Sequence, residues 1–195
     1  MNKEQLTIAG LVGTAWLVYL IDLVLPIDLN QFGIMPRTLY GLIGIPTMPF
    51  LHAGIGHLVS NTIPLCILLF ILTSTKRQDY VEIIASIIVF GGLFLWLFGR
   101  SAVHVGASGL IYGLIAFLIA NGFAERKVMP ILVSLFVGFL YGSTLFFGVL
   151  PTAGPQVSWD GHLFGAIAGA LTAFLMPIAA TDTNGDPFAS RPPEA

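Results

Sequence analysis

One serine and one histidine lie where residue type and sequence context favour nucleophilic chemistry. Ser108 stands in Gly106-Ala107-Ser108-Gly109, directly before an apolar run, and His162 stands near the start of a second apolar run. A serine hydroxyl becomes a nucleophile when a neighbouring base accepts its proton, and imidazole is the commonest base. The first backbone N–H groups of a helix have no partner within the helix and can bind an oxyanion. The sequence therefore predicts a dyad with Ser108 as nucleophile and His162 as general base.

Further polar residues are spaced to assist such a dyad. His57 and Asn61 are four residues apart, so they share one helical face, and both side chains can donate to an oxyanion. His52 lies five residues before His57, near the start of the same apolar run. Tyr112 lies four residues after Ser108 on the same helical face. Its ring could hold the imidazole in place of an acid, or it could be ordinary packing material between helices.

Other titratable residues suit the chemistry less well. Asp160 is two residues from His162, and residues two apart on a helix do not face each other, so we expect Asp160 to cap the helix N-terminus. His104 is a rival base, but it lies in a presumed loop, where we expect it to be more exposed and less fixed. The sequence has no H-E-x-x-H motif, no Cys–His cluster and no carboxylate spaced to support the histidines. Neither a metal nor another cofactor is therefore expected.

The composition places these residues in a membrane protein. Of 195 residues, 56% are hydrophobic and only 9% are charged, whereas a soluble domain has about 25% charged residues. The net charge of −2 gives no reason to expect a nucleic-acid partner. Six apolar runs are candidate membrane spans: Leu6–Leu25, Leu51–Thr73, Tyr80–Phe98, Ser108–Phe123, Val128–Leu150 and Gly161–Ala179.

The remaining segments divide the chain into two parts. Residues 1–179 are predicted to form one all-α membrane domain of six spans, and residues 180–195, which are polar and rich in proline, a disordered cytoplasmic tail. The segment Pro26–Phe50 between the first two runs is rich in Pro and Gly but still apolar, so we expect it to lie in the membrane interface.

The positions of Lys and Arg predict the orientation in the membrane. Six of the eight fall on one side of a six-span arrangement, which places both termini in the cytoplasm. Ser108 lies 17 residues before Glu125, or roughly 25 Å along a helix, in an apolar layer about 30 Å thick. The same reckoning gives a similar depth for His57, Asn61 and His162. Polar residues there either lock the helices together or form a functional site that faces the outer side.

Small residues on two of the runs predict close packing between them. One face of the fourth run carries Gly109 and Gly113, and one face of the sixth carries Gly161, Gly165 and Gly169. Glycine faces let two helix backbones approach closely. Such packing could bring the serine and the histidine within the ~3 Å needed for proton transfer. The alternative is plain helix packing, with His162 an incidental residue at the interface.

Together these motifs resemble the rhomboid family of intramembrane serine proteases. The resemblance consists of His52-x4-His57-x3-Asn61, Gly106-Ala107-Ser108-Gly109 and Gly161-His162-x2-Gly165 in the second, fourth and sixth runs. It implies that Ser108 is the nucleophile and His162 the general base. It also implies that Tyr112 stacks on His162, and that His57, Asn61 and the Ser108 N–H form the oxyanion hole.

The resemblance further implies six helices around a shortened fourth span, with water reaching the serine from outside. The expected substrates are single-span membrane proteins, cut in or near the lipid bilayer and arriving sideways near the fifth helix and the loop Pro151–Ser158. A plasma or inner membrane of a bacterial or archaeal cell is the expected location.

One feature departs from the family pattern. Many members carry Trp-Arg about eight residues before the position of His52, where this chain has Leu42-Ile43-Gly44-Ile45-Pro46. The first loop must therefore be anchored differently. Two other functions stay open: a non-catalytic rhomboid-like protein that binds membrane helices, and a proton or metal transporter built around the histidines. The second has the weaker support, because no polar track continues to the cytoplasmic side.

Overall fold

The computed structural model describes residues 2–75, 79–153 and 157–176. Six long helices follow one another along this part of the chain. They are α1 (Lys3–Asp22), α2 (Ile55–Ser74), α3 (Tyr80–Phe98), α4 (Ser108–Glu125), α5 (Val128–Gly148) and α6 (Trp159–Leu175). Within the described ranges there is no strand, only an isolated bridge between Ile34 and His104. The predicted all-α membrane bundle is confirmed.

The helices match the apolar runs closely. The helices α1 to α5 are each long and apolar enough to cross a membrane, and α6, described over 17 residues, packs among them. The run Tyr80–Phe98 coincides with α3, while α1 begins three residues before the predicted Leu6. The predicted tail at 180–195 and the last three residues of the sixth run lie outside the described residues.

Two helix starts show how local sequence sets the boundaries. Asn2 accepts a hydrogen bond from the Gln5 backbone N–H while the Gln5 side chain returns one to the Asn2 N–H, which is a capping box. The prediction that Asp160 caps α6 is wrong, because the Ser158 side chain accepts from the Gly161 N–H at 3.2 Å. Asp160 instead lies buried in the first turn, where it binds Arg100.

Helix α4 is the centre of the bundle. It packs on α6 most extensively and on α5 next, and it also contacts α2 and α3. A side chain at Gly165 would overlap the carbonyl of Gly109, and one at Gly169 would overlap the carbonyl of Gly113. The two glycine faces therefore meet, as the sequence predicts, and bring the backbones of α4 and α6 into direct contact.

The first loop is anchored by a different arginine and tryptophan from those of the family pattern. The guanidinium of Arg37 donates to the carbonyl of Gly99 at 2.7 Å, just beyond the end of α3. The Trp96 indole N–H, from α3, donates to the carbonyl of Thr38 at 2.7 Å. Gly106 donates through its N–H to the carbonyl of Met48 at 2.9 Å. The loop is thereby held against the segment that leads into Ser108.

Candidate active site

The predicted polar residues converge on one cavity of about 700 Å³ at one end of the bundle. Its walls come from α2, α4, α5, α6 and the segments that precede α2, α4 and α6. Five of the predicted site residues line it: His57, Asn61, Ser108, Tyr112 and His162. Thus residues up to 105 positions apart along the chain share a single cavity. His52 lies behind this lining and touches it through Asn61.

Ser108 is the first residue of α4 and is partly exposed to the cavity. The preceding turn depends on Gly106, whose backbone φ of +113° is rarely adopted by residues other than glycine. A Cβ at Gly106 would lie 2.6 Å from the His57 ring and 3.4 Å from the Asn61 amide nitrogen. The missing side chain therefore lets the backbone before Ser108 lie directly against the two predicted oxyanion donors.

His162 has its ring fixed in one tautomer. Its Nδ1 lies 2.9 Å from the carbonyl oxygen of Gly148, the last residue of α5. Because a carbonyl only accepts hydrogen bonds, Nδ1 must carry the proton in the neutral ring, and Nε2 must carry the lone pair. The backbone carbonyl thus orients the imidazole as an acid does in a triad. The arrangement leaves Nε2 able to accept a proton.

Tyr112 covers one face of the same ring, whose edge contacts the Gly148 carbonyl. The two ring centroids lie 4.0 Å apart and the planes differ by 4°, so the rings are stacked. The Tyr112 hydroxyl donates to the carbonyl of Thr144 on α5 at 3.1 Å. The spacing of Tyr112 allowed either a contact with the imidazole or ordinary helix packing, and the structure shows the contact with the imidazole.

Asn61 is oriented by His52. The Asn61 amide nitrogen donates to Nε2 of His52 at 3.1 Å, and Nδ1 of His52 lies 3.4 Å from the carbonyl of Phe50. Burial, followed by repulsion from a charged His57, lowers the pKa of His52 to about 4, although the Phe50 carbonyl opposes this shift. His52 is therefore neutral at physiological pH and keeps its acceptor. Asn61 has a second N–H that is not used by this bond.

His57 packs edge-on against His52, with ring centroids 5.1 Å apart at an interplanar angle of 65°. It stands in the first turn of α2 and is partly exposed, so its ring reaches the cavity. The helical spacing of four places it beside Asn61, as predicted. The loop turn at Gly106 then meets both side chains from the opposite side.

The expectation that His104 is exposed and weakly fixed is wrong. Only 2% of its surface is accessible, because the backbone bridge to Ile34 pins its segment under the first loop. Its Nε2 lies 3.0 Å from the Arg100 carbonyl and its Nδ1 lies 2.7 Å from the Ser158 hydroxyl. The ring therefore joins the loop after α3 to the residue before α6, next to the buried carboxylate of Asp160.

Sequence reasoning missed the backbone groups that orient the two rings. Gly148 and Thr144 contribute carbonyls rather than side chains, so their residue types carry no chemical signal. It also missed the ion pair of Arg100 and Asp160, whose atoms Nη2 and Oδ1 lie 3.1 Å apart. A charged pair next to a predicted span start was the available signal. Among the described residues no three His, Cys, Asp or Glu side chains converge as metal ligands.

Comparison with known proteins identifies the family to which this sequence is similar. The sequence model of the Rhomboid domain matches residues 38–178. An uncharacterised protein of Mycobacterium tuberculosis is 42% identical over 178 residues, covering 87% of this chain and 74% of its own length. An uncharacterised protein of Mycobacterium leprae is 38% identical over 178 residues, covering 87% of this chain and 70% of its own.

A more distant relative comes from a plant. The protein named RHOMBOID-like protein 1 of Arabidopsis thaliana is 30% identical over 137 residues, which cover 68% of this chain and 34% of the plant protein. The domain match alone covers well over half of the sequence and includes every predicted site residue. This chain belongs to the rhomboid family of multi-pass membrane proteins.

Proposed function

We propose that this rhomboid protein is a serine endopeptidase that hydrolyses peptide bonds within the membrane. The observation that carries the proposal is the state of His162, whose Nδ1–H is held by the Gly148 carbonyl while its Nε2 is left as a base in the cavity that Ser108 lines. A serine hydroxyl and an imidazole lone pair in one cavity are the two groups that acyl transfer needs. The stacked Tyr112 keeps the ring in place.

In the proposed reaction, the Ser108 oxygen attacks the carbonyl carbon of the scissile bond while its proton passes to Nε2 of His162. The tetrahedral oxyanion collapses, the C–N bond breaks and His162 returns the proton to the leaving amine. Water then attacks the acyl-enzyme and gives up a proton to His162. The ester bond breaks, and the proton goes back to the Ser108 oxygen. No cofactor enters this scheme.

The oxyanion donors in this scheme are the Ser108 N–H, the free N–H of Asn61 and the His57 ring. Support comes from the start of α4, where the backbone N–H groups of the first turn have no partner within the helix. Further support comes from the contact of Gly106 with the His57 ring and the Asn61 amide. Pre-oriented donors of this kind contribute about 10²–10³ in kcat each.

The substrate class that we propose is a single-span membrane protein, which reaches Ser108 from the side. The cavity is walled by Ser60 and Pro64 of α2 on one side and by Tyr141 and Thr144 of α5 on the other. These two helices both flank α4, yet neither packs substantially on the other. A gap between two lipid-facing helices suits a substrate that is itself embedded in the bilayer, with lipid around both partners.

We propose that both termini are cytoplasmic and that the cavity faces the outer side of a bacterial inner or plasma membrane. Arg37 and Arg100 lie at the cavity end, while Arg126 and Lys127 follow α4 at the opposite end. The positive-inside rule assigns the second end, together with Lys3, to the cytoplasm. The mycobacterial relatives are consistent with a bacterial membrane.

The test combines active-site labelling with proteolysis. We expect a fluorophosphonate to label the wild-type protein and not Ser108→Ala, and a single-span test substrate in liposomes to be cut by the wild type and not by Ser108→Ala or His162→Ala. Ser60→Ala is the matched control, because Ser60 lines the same cavity but bonds only to the His57 carbonyl, and it should be labelled normally. Equal labelling of Ser108→Ala would contradict the assignment. Substrate binding without cleavage or labelling would favour the non-catalytic, helix-binding alternative.

A further inference from the structure

The C-terminal end of α5 holds both stacked rings of the candidate site. The carbonyl of Gly148 accepts from Nδ1 of His162 at 2.9 Å, and the carbonyl of Thr144 accepts from the Tyr112 hydroxyl at 3.1 Å. The two carbonyls are four residues apart, so they share one face of the helix. The last carbonyls of a helix have no N–H partner within it. The Gly148 carbonyl is therefore free to serve a side chain on α6.

Glycine at position 148 makes this approach possible. A Cβ there would overlap the hydroxyl of Tyr112, so any other residue would push the end of α5 away from the rings. Gly138 and Gly142 lie on the same helix, and a Cβ at either would have no neighbouring atom within 4 Å. The helix therefore carries one glycine that the site requires and two that it does not.

The rest of α5 is loosely held. It packs along α4, makes few contacts with α6 and exposes large apolar side chains such as Phe139 and Leu135. Of its 18 most apolar consecutive residues, only 11% are buried inside the protein. The two hydrogen bonds at its end thus join a peripheral helix to the groups at the centre of the site.

We propose that Gly148 is a positioning residue, whose backbone carbonyl makes His162 competent as a base only while the end of α5 is seated against α4 and α6. In the seated position the carbonyl selects the tautomer with the proton on Nδ1. When the end of α5 moves away, the ring loses this acceptor and can place its proton on Nε2. A ring with that proton cannot accept another from Ser108 at Nε2. This inference rests on the proposed function and links seating of the substrate-facing wall to the chemistry.

The direct test is the protonation state of His162 read by NMR of ¹⁵N-histidine-labelled protein in detergent above pH 7. The chain has four histidines, so the His162 signals follow from comparison with His162→Ala. We expect wild-type His162 to be protonated at Nδ1 and not at Nε2. In Gly148→Ala the two nitrogen signals should move toward the average of the two tautomers, and in the control Gly142→Ala they should stay unchanged.

Activity gives a second measurement on the same variants. We expect Gly148→Ala to lower kcat on the test substrate by about 10–100-fold, because an imidazole in the wrong tautomer cannot act as base. We expect KM to rise as well, because the displaced end of α5 carries part of the substrate-facing wall, so kcat at saturating substrate is the constant that reports the tautomer. A variant that merely lost packing would lose thermal stability, while the NMR signals of its folded fraction would remain those of the wild type. Gly142→Ala should match the wild type in both constants.

The outcomes separate this inference from the proposed function. Wild-type His162 protonated at Nε2, or unchanged His162 signals in folded Gly148→Ala, would overturn the inference even if proteolysis is observed. The expected signals without any cleavage would instead overturn the proposed function and leave the inference standing. If Gly148→Ala does not fold, Tyr112→Phe decides. It keeps the ring but removes the bond to Thr144, so it should shift the signals part of the way, and an unchanged spectrum would count against the inference.

Discussion

Helices α4 and α5 are neighbours that differ sharply in how they are held. Of the 18 most apolar consecutive residues of each helix, 67% are buried in α4 and 11% in α5, although the α4 stretch is the less apolar of the two. The proposed nucleophile and general base lie on α4 and on α6, which packs closely against it. Helix α5 contributes the cavity wall and two backbone carbonyls. The fixed helices thus carry the reacting groups, and the peripheral helix carries the side from which a substrate would approach.

The physical origin of this difference is the size of the residues at each interface. Between α4 and α6, the carbonyls of Gly109 and Gly113 occupy the space that side chains at positions 165 and 169 would need. Without a hydrophobic driving force between helices in lipid, such close contact supplies the attraction. Along α5 the glycines at 138 and 142 face open space, and the large side chains point outward. The less apolar helix is therefore the more deeply buried one.

Gly165→Ala is expected to have the largest effect on activity among the variants compared here, because it forces the two closely packed helices apart. The new Cβ would overlap the Gly109 carbonyl and force α4 and α6 apart. Overpacking of this kind costs about 1–3 kcal/mol, and a displacement of about 1 Å between reacting groups lowers rates by about 10²-fold. The thermal midpoint in detergent and kcat/KM on a single-span substrate measure the two effects. Gly13→Ala in α1, where a Cβ meets nothing within 4 Å, is the control. Wild-type activity in Gly165→Ala would show that the glycine contact does not position the dyad.

Acid should destabilise the protein through His52, a buried residue in the segment before α2. This prediction tests the closely packed side of the comparison. The pKa of His52 is about 4 in the folded protein against 6.5 ordinarily, so between these values the unfolded chain binds more protons. Stability therefore falls as the pH falls from 6.5 toward 4, by at most about 3 kcal/mol. Thermal midpoints at pH 7.5 and 4.5 should differ less in His52→Gln, which keeps an oxygen acceptor for Asn61. The same acid sensitivity in both proteins would assign the effect to other groups.

Phe139→Ala should have the smallest effect and sharpens the peripheral side of the comparison. The Phe139 side chain is 87% exposed on α5, so its removal should change stability by less than about 0.5 kcal/mol. A fully buried phenylalanine such as Phe117 on α4 would cost about 3–5 kcal/mol on the same change. Thermal midpoints of the two variants in one detergent provide the measurement. A large loss in Phe139→Ala would mean that α5 is covered by something other than lipid, such as a second protein.

The helices could be predicted well from the sequence because each one coincides with a continuous apolar stretch. The predicted starts of the third, fourth and fifth spans agree with α3, α4 and α5. The start of α6 lies two residues earlier than predicted, at Trp159, because the Ser158 hydroxyl rather than the Asp160 carboxylate accepts the N-terminal hydrogen bond. Both residue types favour that position, but the carboxylate of Asp160 is used in the ion pair with Arg100.

The candidate site was predictable in its residue types and less so in its contacts. Helical spacing alone placed His57 with Asn61 and Ser108 with Tyr112, and each pair lines the cavity. The surroundings of His104 could not be predicted, since its partners are Ser158, 54 residues away, and the bridge to Ile34. Nor could the sequence show that His52 serves Asn61, because that hydrogen bond depends on how the chain turns before α2.

By itself the sequence determined a membrane protein of apolar helices, with a serine, two histidines and an asparagine at one depth, because composition and spacing along a helix act locally. Only the tertiary structure decided which nitrogen of His162 carries the proton. That choice depends on a carbonyl at the end of a different helix, Gly148, and on the absence of a side chain there. A backbone carbonyl is present at every position, so nothing in a string of residue types can show which one a ring will meet.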